Sequence, residues 1–248
     1  MTSTAIELPV RPSVTTRRLL VTSRHPETRQ YRPVGFLTSD DGCYTFAYLR
    51  RELRRDDFRP LPGLAKATNG AISSASLFPL FAERVISARR PDRQVSLEAL
   101  GLPSGAAPIE VLARSHGQRV GDTVELIDAP AVAAGQSVSF TFLTHGVRYL
   151  NDEERARIER LAPGDLLRLR AEPDNVANSR TQLVTDRDDV RLGWLPDPLL
   201  DIVESIANRR IYVERANGPH VGFHFRLLAR MQGQATTDLF TGPRWETA

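Results

Sequence analysis

Ser137-Val138-Ser139-Phe140-Thr141-Phe142-Leu143-Thr144-His145-Gly146-Val147-Arg148-Tyr149-Leu150-Asn151 changes its periodicity part-way along. Val138, Phe140 and Phe142 alternate with Ser139 and Thr141, the period-two pattern of a half-buried strand. From Asn151 to Leu161 the pattern is helical. Asn151 is a capping residue, and Glu154 follows three positions later as the partner in a capping box. Asp152 and Glu153 place negative charge at the positive end of the helix dipole. His145-Gly146-Val147-Arg148-Tyr149 therefore sits where a strand stops and a helix starts. That is a place to present a guanidinium fork and a flat ring to a ligand.

Working outward, the spacing predicts strands over Leu166 to Ala171, Thr181 to Thr185 and Arg191 to Trp194. Glu172 to Asn178 reads as a turn, and Asp186, Asp188 and Asp189 as an exposed hairpin turn. A helix is expected from Pro196 to Ala207, with Leu199, Leu200, Ile202 and Val203 on its apolar faces. Arg210 to Arg215 and Phe223 to Arg230 are read as final paired strands, and residues 232–248 as a loose tail. Many short strands with two helices predict a small OB-like β-barrel over residues 137–231. This is an inference about shape, and fold does not fix function.

The first half has a different organisation. Residues 1–16 lack periodicity and read as a flexible arm. Arg17 to Ser23 and Tyr31 to Leu37 are strands, and Asp40-Asp41-Gly42 is a turn signal. Tyr44, Phe46 and Tyr48 alternate with small residues. They are read as the buried face of a sheet in preference to a stacking platform for bases. Leu49 to Arg55 reads as a solvated helical face carrying Arg50, Arg51, Arg54 and Arg55. Helices are expected from Leu77 to Ile86 with Ser76 as cap, from Pro91 to Leu100, and over Pro108 to Ala113, then a strand over Asp122 to Ile127. The chain is thus expected to be α+β: an α+β domain with a small antiparallel sheet at residues 17–128, a linker at 129–136, then the barrel.

Composition bounds the function. The single cysteine, Cys43, excludes an intrachain disulfide and a cysteine-based zinc site. No secretion signal and no apolar run long enough to span a membrane is read, so a cytoplasmic protein without membrane contact is expected. The net charge is +3. Residues 1–136 carry 18 basic against 14 acidic groups, and residues 137–248 carry 15 against 16. A nucleic-acid site in the second half must therefore be local, because the bulk field there does not attract phosphate. His220 and His224 are four apart, but Pro219 and Gly222 argue against the helix that would align them for a metal. No nucleophile elbow, phosphate loop, kinase, helicase or nuclease signature and no metal-ligand spacing occurs. The expectation is a non-enzymatic protein with no cofactor and no metal.

Several fragments, in order, resemble the HIRAN domain: Gly146-Val147-Arg148-Tyr149, Leu161-Ala162-Pro163-Gly164-Asp165 leading into Leu167-Arg168-Leu169, Glu172-Pro173-Asp174-Asn175, and Arg191-Leu192-Gly193-Trp194-Leu195-Pro196. The resemblance covers residues 138–231 and implies nucleic-acid binding, DNA first, through single strands or strand ends. Arg148 then holds a phosphate by paired hydrogen bonds, or pairs with Asp174 or Glu172. Tyr149 then stacks on a base, or packs on the barrel. Asn175, Asn178, Arg180 and Trp194 complete the candidate contact set. Ala177 and Asp197 depart from the family pattern, where an aromatic and a basic residue are expected, and this puts recognition of a free 3′ end in doubt. Residues 17–128 resemble the N-terminal subdomain of HipA-type toxin kinases. The resemblance rests on Pro33-Val34-Gly35, Tyr44 to Tyr48, Leu61-Pro62-Gly63, Leu77 to Phe81, Arg89-Arg90, and Pro108 to Ala113 ahead of Gly117. It implies a protein-interaction module that regulates a separately encoded kinase or other effector.

Overall fold

The computed structural model describes residues 16–28, 30–119, 123–175 and 178–248. The expected flexible arm, save Thr16, and the departure at Ala177 lie outside the described residues. The chain is α+β, built on two antiparallel sheets. In the first half, β1 (Arg17–Arg24), β2 (Tyr31–Asp40) and β3 (Cys43–Tyr48) form a meander. α1 (Arg50–Leu53), β4 (Ile72–Ser74), α2 (Pro79–Ala82), α3 (Arg93–Ala99), α4 (Pro108–Ser115) and β5 (Val124–Asp128) follow. The five strands order as β4-β3-β2-β1-β5. Phe46 and Tyr48 are fully buried among Leu19, Val21, Leu37, Phe81 and Leu112, so the alternating aromatics are core. The Tyr48 hydroxyl accepts a hydrogen bond from the Leu61 amide at 2.6 Å, which removes the polar cost of burying that ring.

The second half contains β6 (Ser137–Leu143), α5 (Asp152–Glu159), β7 (Leu166–Ala171), β8 (Gln182–Thr185), β9 (Arg191–Trp194), α6 (Leu200–Glu204), β10 (Ile206–Ala216) and β11 (Leu227–Ala235). Its sheet orders as β6-β11-β10-β7-β8-β9 and curls, as the OB-like expectation requires. The curl brings the two outer strands together. His145, just past β6, donates its amide to the Trp194 carbonyl at 2.8 Å and accepts the Trp194 amide at 3.0 Å. The capping box on α5 forms in both directions, Glu154 amide to Asn151 and Asn151 amide to Glu154, each at 2.9 Å. Ile158 from α5, and Leu199, Leu200, Ile202 and Val203 around α6, enter the same core as β6, β10 and β11.

Four local expectations change. The helix expected from Leu77 begins at Pro79, because a proline fits the first helical turn where its missing amide costs nothing, and Ser76 is left in a turn. The helix from Pro196 stops at Glu204, since Ile206 already belongs to β10. Phe223–Phe225 is a 3-10 turn and the last strand starts at Leu227. Asp186 is buried: its carboxylate accepts the amides of Asp188 and Val190, each at 2.9 Å, and pairs with Arg157 at 2.5 Å.

The tail is the larger correction. Leu239, Phe240 and Trp245 are buried, and Phe36 of β2 meets the Phe240 ring edge-on and the Trp245 ring at a tilt. Val132, in the segment expected as a linker, exchanges backbone hydrogen bonds with Leu239. Thr247 pairs with Leu49, and the Ala248 amide reaches the Tyr48 carbonyl at 3.0 Å. Apolar residues spaced through a proline- and glycine-containing stretch carry no periodicity, so only their partners reveal them as core. The largest core joins the two sheets, taking Leu20, Phe36, Leu49 and Ile127 from the first and Phe142, Ile211 and Met231 from the second. Truncating Trp245, 8% exposed, in Trp245→Ala is expected to lower the unfolding free energy by about 3–5 kcal/mol in urea denaturation. A loose tail would give a change within about 0.5 kcal/mol.

Candidate nucleic-acid interface

The segment His145–Tyr149 is positioned by two glycines. Gly146 has φ +72°, and a Cβ there would meet the Trp194 ring at 2.3 Å. Gly193 has φ +128°, and a Cβ there would meet the His145 carbonyl at 2.6 Å. Both conformations favour glycine, and both contacts require it. With the backbone so fixed, Val147–Tyr149 forms a 3-10 turn, Val147 faces the core, and Arg148 and Tyr149 point outward.

Tyr149 is 67% exposed, so it does not pack on the barrel. The Arg148 guanidinium lies over the Tyr149 ring, 4.6 Å from its centroid, and donates to the Tyr149 hydroxyl. Among the described residues no carboxylate pairs with Arg148. Glu172 instead accepts from the Asn175 side chain at 2.6 Å and from the Trp194 indole at 2.9 Å. Those two donors hold the Glu172 carboxyl below its ordinary value. The turn Phe223–Phe225 lies beside Val147–Tyr149. Phe223 is 49% exposed, with the Arg155 guanidinium 5.8 Å from its ring centroid. Arg155 is also tied to Asp152 at 2.5 Å. Two exposed rings, each with an arginine at its face, thus occupy one surface. The sequence reading missed Phe223 and Arg155, because a phenylalanine assigned to a strand reads as core.

The other expected contacts divide. Trp194 is half-buried, packed on Gly146 and hydrogen-bonded to Glu172, and Asn175 is bound to the same carboxylate; both support the turn beneath Arg148 and Tyr149. Asn178 and Arg180 line a separate cleft of about 230 Å³ with Thr22, Tyr31, Asp197 and Arg244. There Arg180 is paired with Asp201 at 2.8 Å and Glu204 at 2.9 Å, so its charge is already spent on two carboxylates. Asp197 adds a further acid to that cleft.

No metal site was expected, yet among the described residues one group of three potential ligands assembles: His116, Glu125 and His145, whose ligand atoms lie within 4.8 Å of one another. It unites residues from α4's end, β5 and the segment after β6, which no local spacing rule can see. No helix among the described residues is long and apolar enough to cross a membrane.

No family model matches the chain. No curated protein matches it either. Among solved structures, the crystal structure of the HIRAN domain of human HLTF aligns with 18% identity over 41% of this chain and 80% of that one, at a TM-score of 0.29. The case for the site rests on this chain's own residues.

Gly146→Ala is expected to cost about 1–3 kcal/mol of stability, from a disfavoured φ and a clash with Trp194. Chemical denaturation measures it, and the near-ultraviolet circular dichroism of the tryptophans should change with it. An unchanged spectrum and midpoint would contradict the packing described.

Proposed function

We propose that this protein binds single-stranded nucleic acid, DNA first, through the surface made by Arg148, Tyr149, Phe223 and Arg155. The observation that carries the reading is an exposed tyrosine with an arginine on its face that no carboxylate pairs among the described residues, held on a turn that two glycines fix. Base stacking needs a ring open to solvent, and phosphate binding needs a cation without an acid partner. Tyr149 and Arg148 meet both conditions, and Phe223 offers a second ring for the neighbouring base. The resemblance of the surrounding fragments to the HIRAN domain supports the same reading.

The rest of the candidate set is assigned lesser parts. Trp194 and Asn175 position the turn. Asn178 and Arg180 stand in an acid-containing cleft, where Asp197 and Asp201 disfavour a phosphate, so the proposal does not extend to gripping a free 3′ end there. The other reading, an interaction module acting through residues 17–128, draws less from the surface of that half. Several of its arginines are compensated internally: Arg17 by Asp128, Arg32 by Glu52 and Asp57, Arg90 by Asp92 and Arg119 by Glu83.

Fluorescence anisotropy with a labelled oligonucleotide tests the proposal. Tyr149→Ala is expected to weaken binding by about 1–3 kcal/mol. Arg148→Ala should weaken it and flatten the dependence of log K on log salt by about 0.7. Duplex of the same length should bind more weakly, because paired bases cannot reach the rings. Unchanged affinity in both variants would refute the assignment.

A further inference from the structure

We propose that His116, Glu125 and His145 bind one divalent transition-metal ion, zinc by the chemistry of the donor set, and that this ion ties the first sheet to the closed edge of the second. His116 ends α4 with φ +56°, and its ring is buried beside Glu125 and His145. Glu125 is on β5, opposite Thr22 of β1. His145 is the residue whose backbone joins β6 to Trp194 of β9.

The polar atoms of this group are otherwise poorly provided for. His116 is 1% exposed and Glu125 2% exposed. Among the described residues neither ring nitrogen of His116 has a partner at hydrogen-bonding geometry, the Thr141 backbone being the nearest candidate, and neither does Oε2 of Glu125. Buried nitrogen and oxygen atoms left without partners are costly, and most buried polar groups avoid that state. Two such side chains, with the His145 ring beside them, converge on one point, the arrangement a metal satisfies at once. Two imidazoles and a carboxylate form a zinc-binding set in which a fourth position is left for water or another ligand.

The geometry is near what an ion requires. His145 Nε2 stands 3.8 Å from Glu125 Oε2. A tetrahedral zinc with bonds of 2.0–2.1 Å holds its ligands about 3.4 Å apart, so side-chain rotation supplies the remaining closure. Each ligand's backbone is anchored independently. The His116 carbonyl accepts the Leu126 amide at 2.9 Å, the Glu125 carbonyl accepts the Thr22 hydroxyl at 3.1 Å, and Trp194 holds His145. The Tyr31 hydroxyl stands beside the Glu125 carboxylate, where it can orient a ligating carboxylate. Asp197 lies within electrostatic reach of both His145 and Glu125. Its negative charge offsets part of the positive charge an ion brings there. The acid that departs from the HIRAN pattern thereby finds a use.

The purified full chain, stripped with a chelator, is titrated with zinc against a chromogenic competitor, and in parallel with cobalt followed by its visible ligand-field absorption. One ion per chain is expected, with a rise in melting temperature on zinc addition. Glu125→Gln, which keeps the shape of the side chain, and His145→Ala should both abolish uptake and the thermal shift, while circular dichroism shows them folded. Tyr31→Phe should weaken zinc by about tenfold to hundredfold. His220→Ala should change nothing. Absence of uptake by the wild-type chain overturns the proposal, and so does uptake that survives in both ligand variants or disappears in His220→Ala. None of these readouts depends on nucleic acid, so the two proposals stand or fall separately.

Discussion

The pair of backbone hydrogen bonds between His145 and Trp194 is the constraint on which the second half depends. A six-stranded antiparallel sheet has two edges, and each edge exposes unpaired amides and carbonyls that invite association. Here the curl of the sheet brings one edge to the other, and the chain just beyond β6 meets the end of β9. The contact needs close approach of two backbones, which is why glycine stands on both sides of it, at 146 and 193. Because the segment is held there, its next residues must leave the sheet. They do so as a 3-10 turn that turns Arg148 and Tyr149 outward and delivers Asn151 to cap α5. Closure of the barrel and display of the candidate site are one event in the chain.

Arginine dominates the basic residues, and many of the described arginines are paired with acids. Arg226 is buried and bonded to Glu159 at 2.6 Å, Arg230 pairs with Glu214 at 2.6 Å, and Arg180 holds two acids. Such pairs, where exposed, add little stability, but they remove cations from the surface field. Against that background Arg148 lies on a ring that is itself exposed and, among the described residues, meets no carboxylate. Net charge alone would not have located it.

Much of this was legible in the sequence wherever the determining contacts were local. The capping box from Asn151 to Glu154 lies within four residues, and the switch from period two to helix lies within fifteen. The alternation of Tyr44, Phe46 and Tyr48 declared a buried face. What failed was long-range. Phe223 stands in a turn whose conformation depends on packing against Val147–Tyr149, and its neighbours in sequence do not show this. His116, Glu125 and His145 belong to three elements, so their convergence exists only in the assembled fold. Trp245 reads as tail until Phe36, more than two hundred residues earlier, is placed beside it.

That last contact also bears on how the molecule is made. The rings of Phe240 and Trp245 cover Phe36, Arg18 donates to the Phe240 carbonyl at 2.9 Å, and Thr247 pairs with Leu49 beside β3. One face of the first sheet buries residues of its own half. The other face, around Phe36, stays uncovered until residues 239–247 have been synthesised, after the whole barrel. Contacts spanning nearly the entire chain carry a high loop-closure cost and slow folding. Completion of the shared core is thus coupled end to end. During synthesis the uncovered face of β2 is the surface that a chaperone would meet.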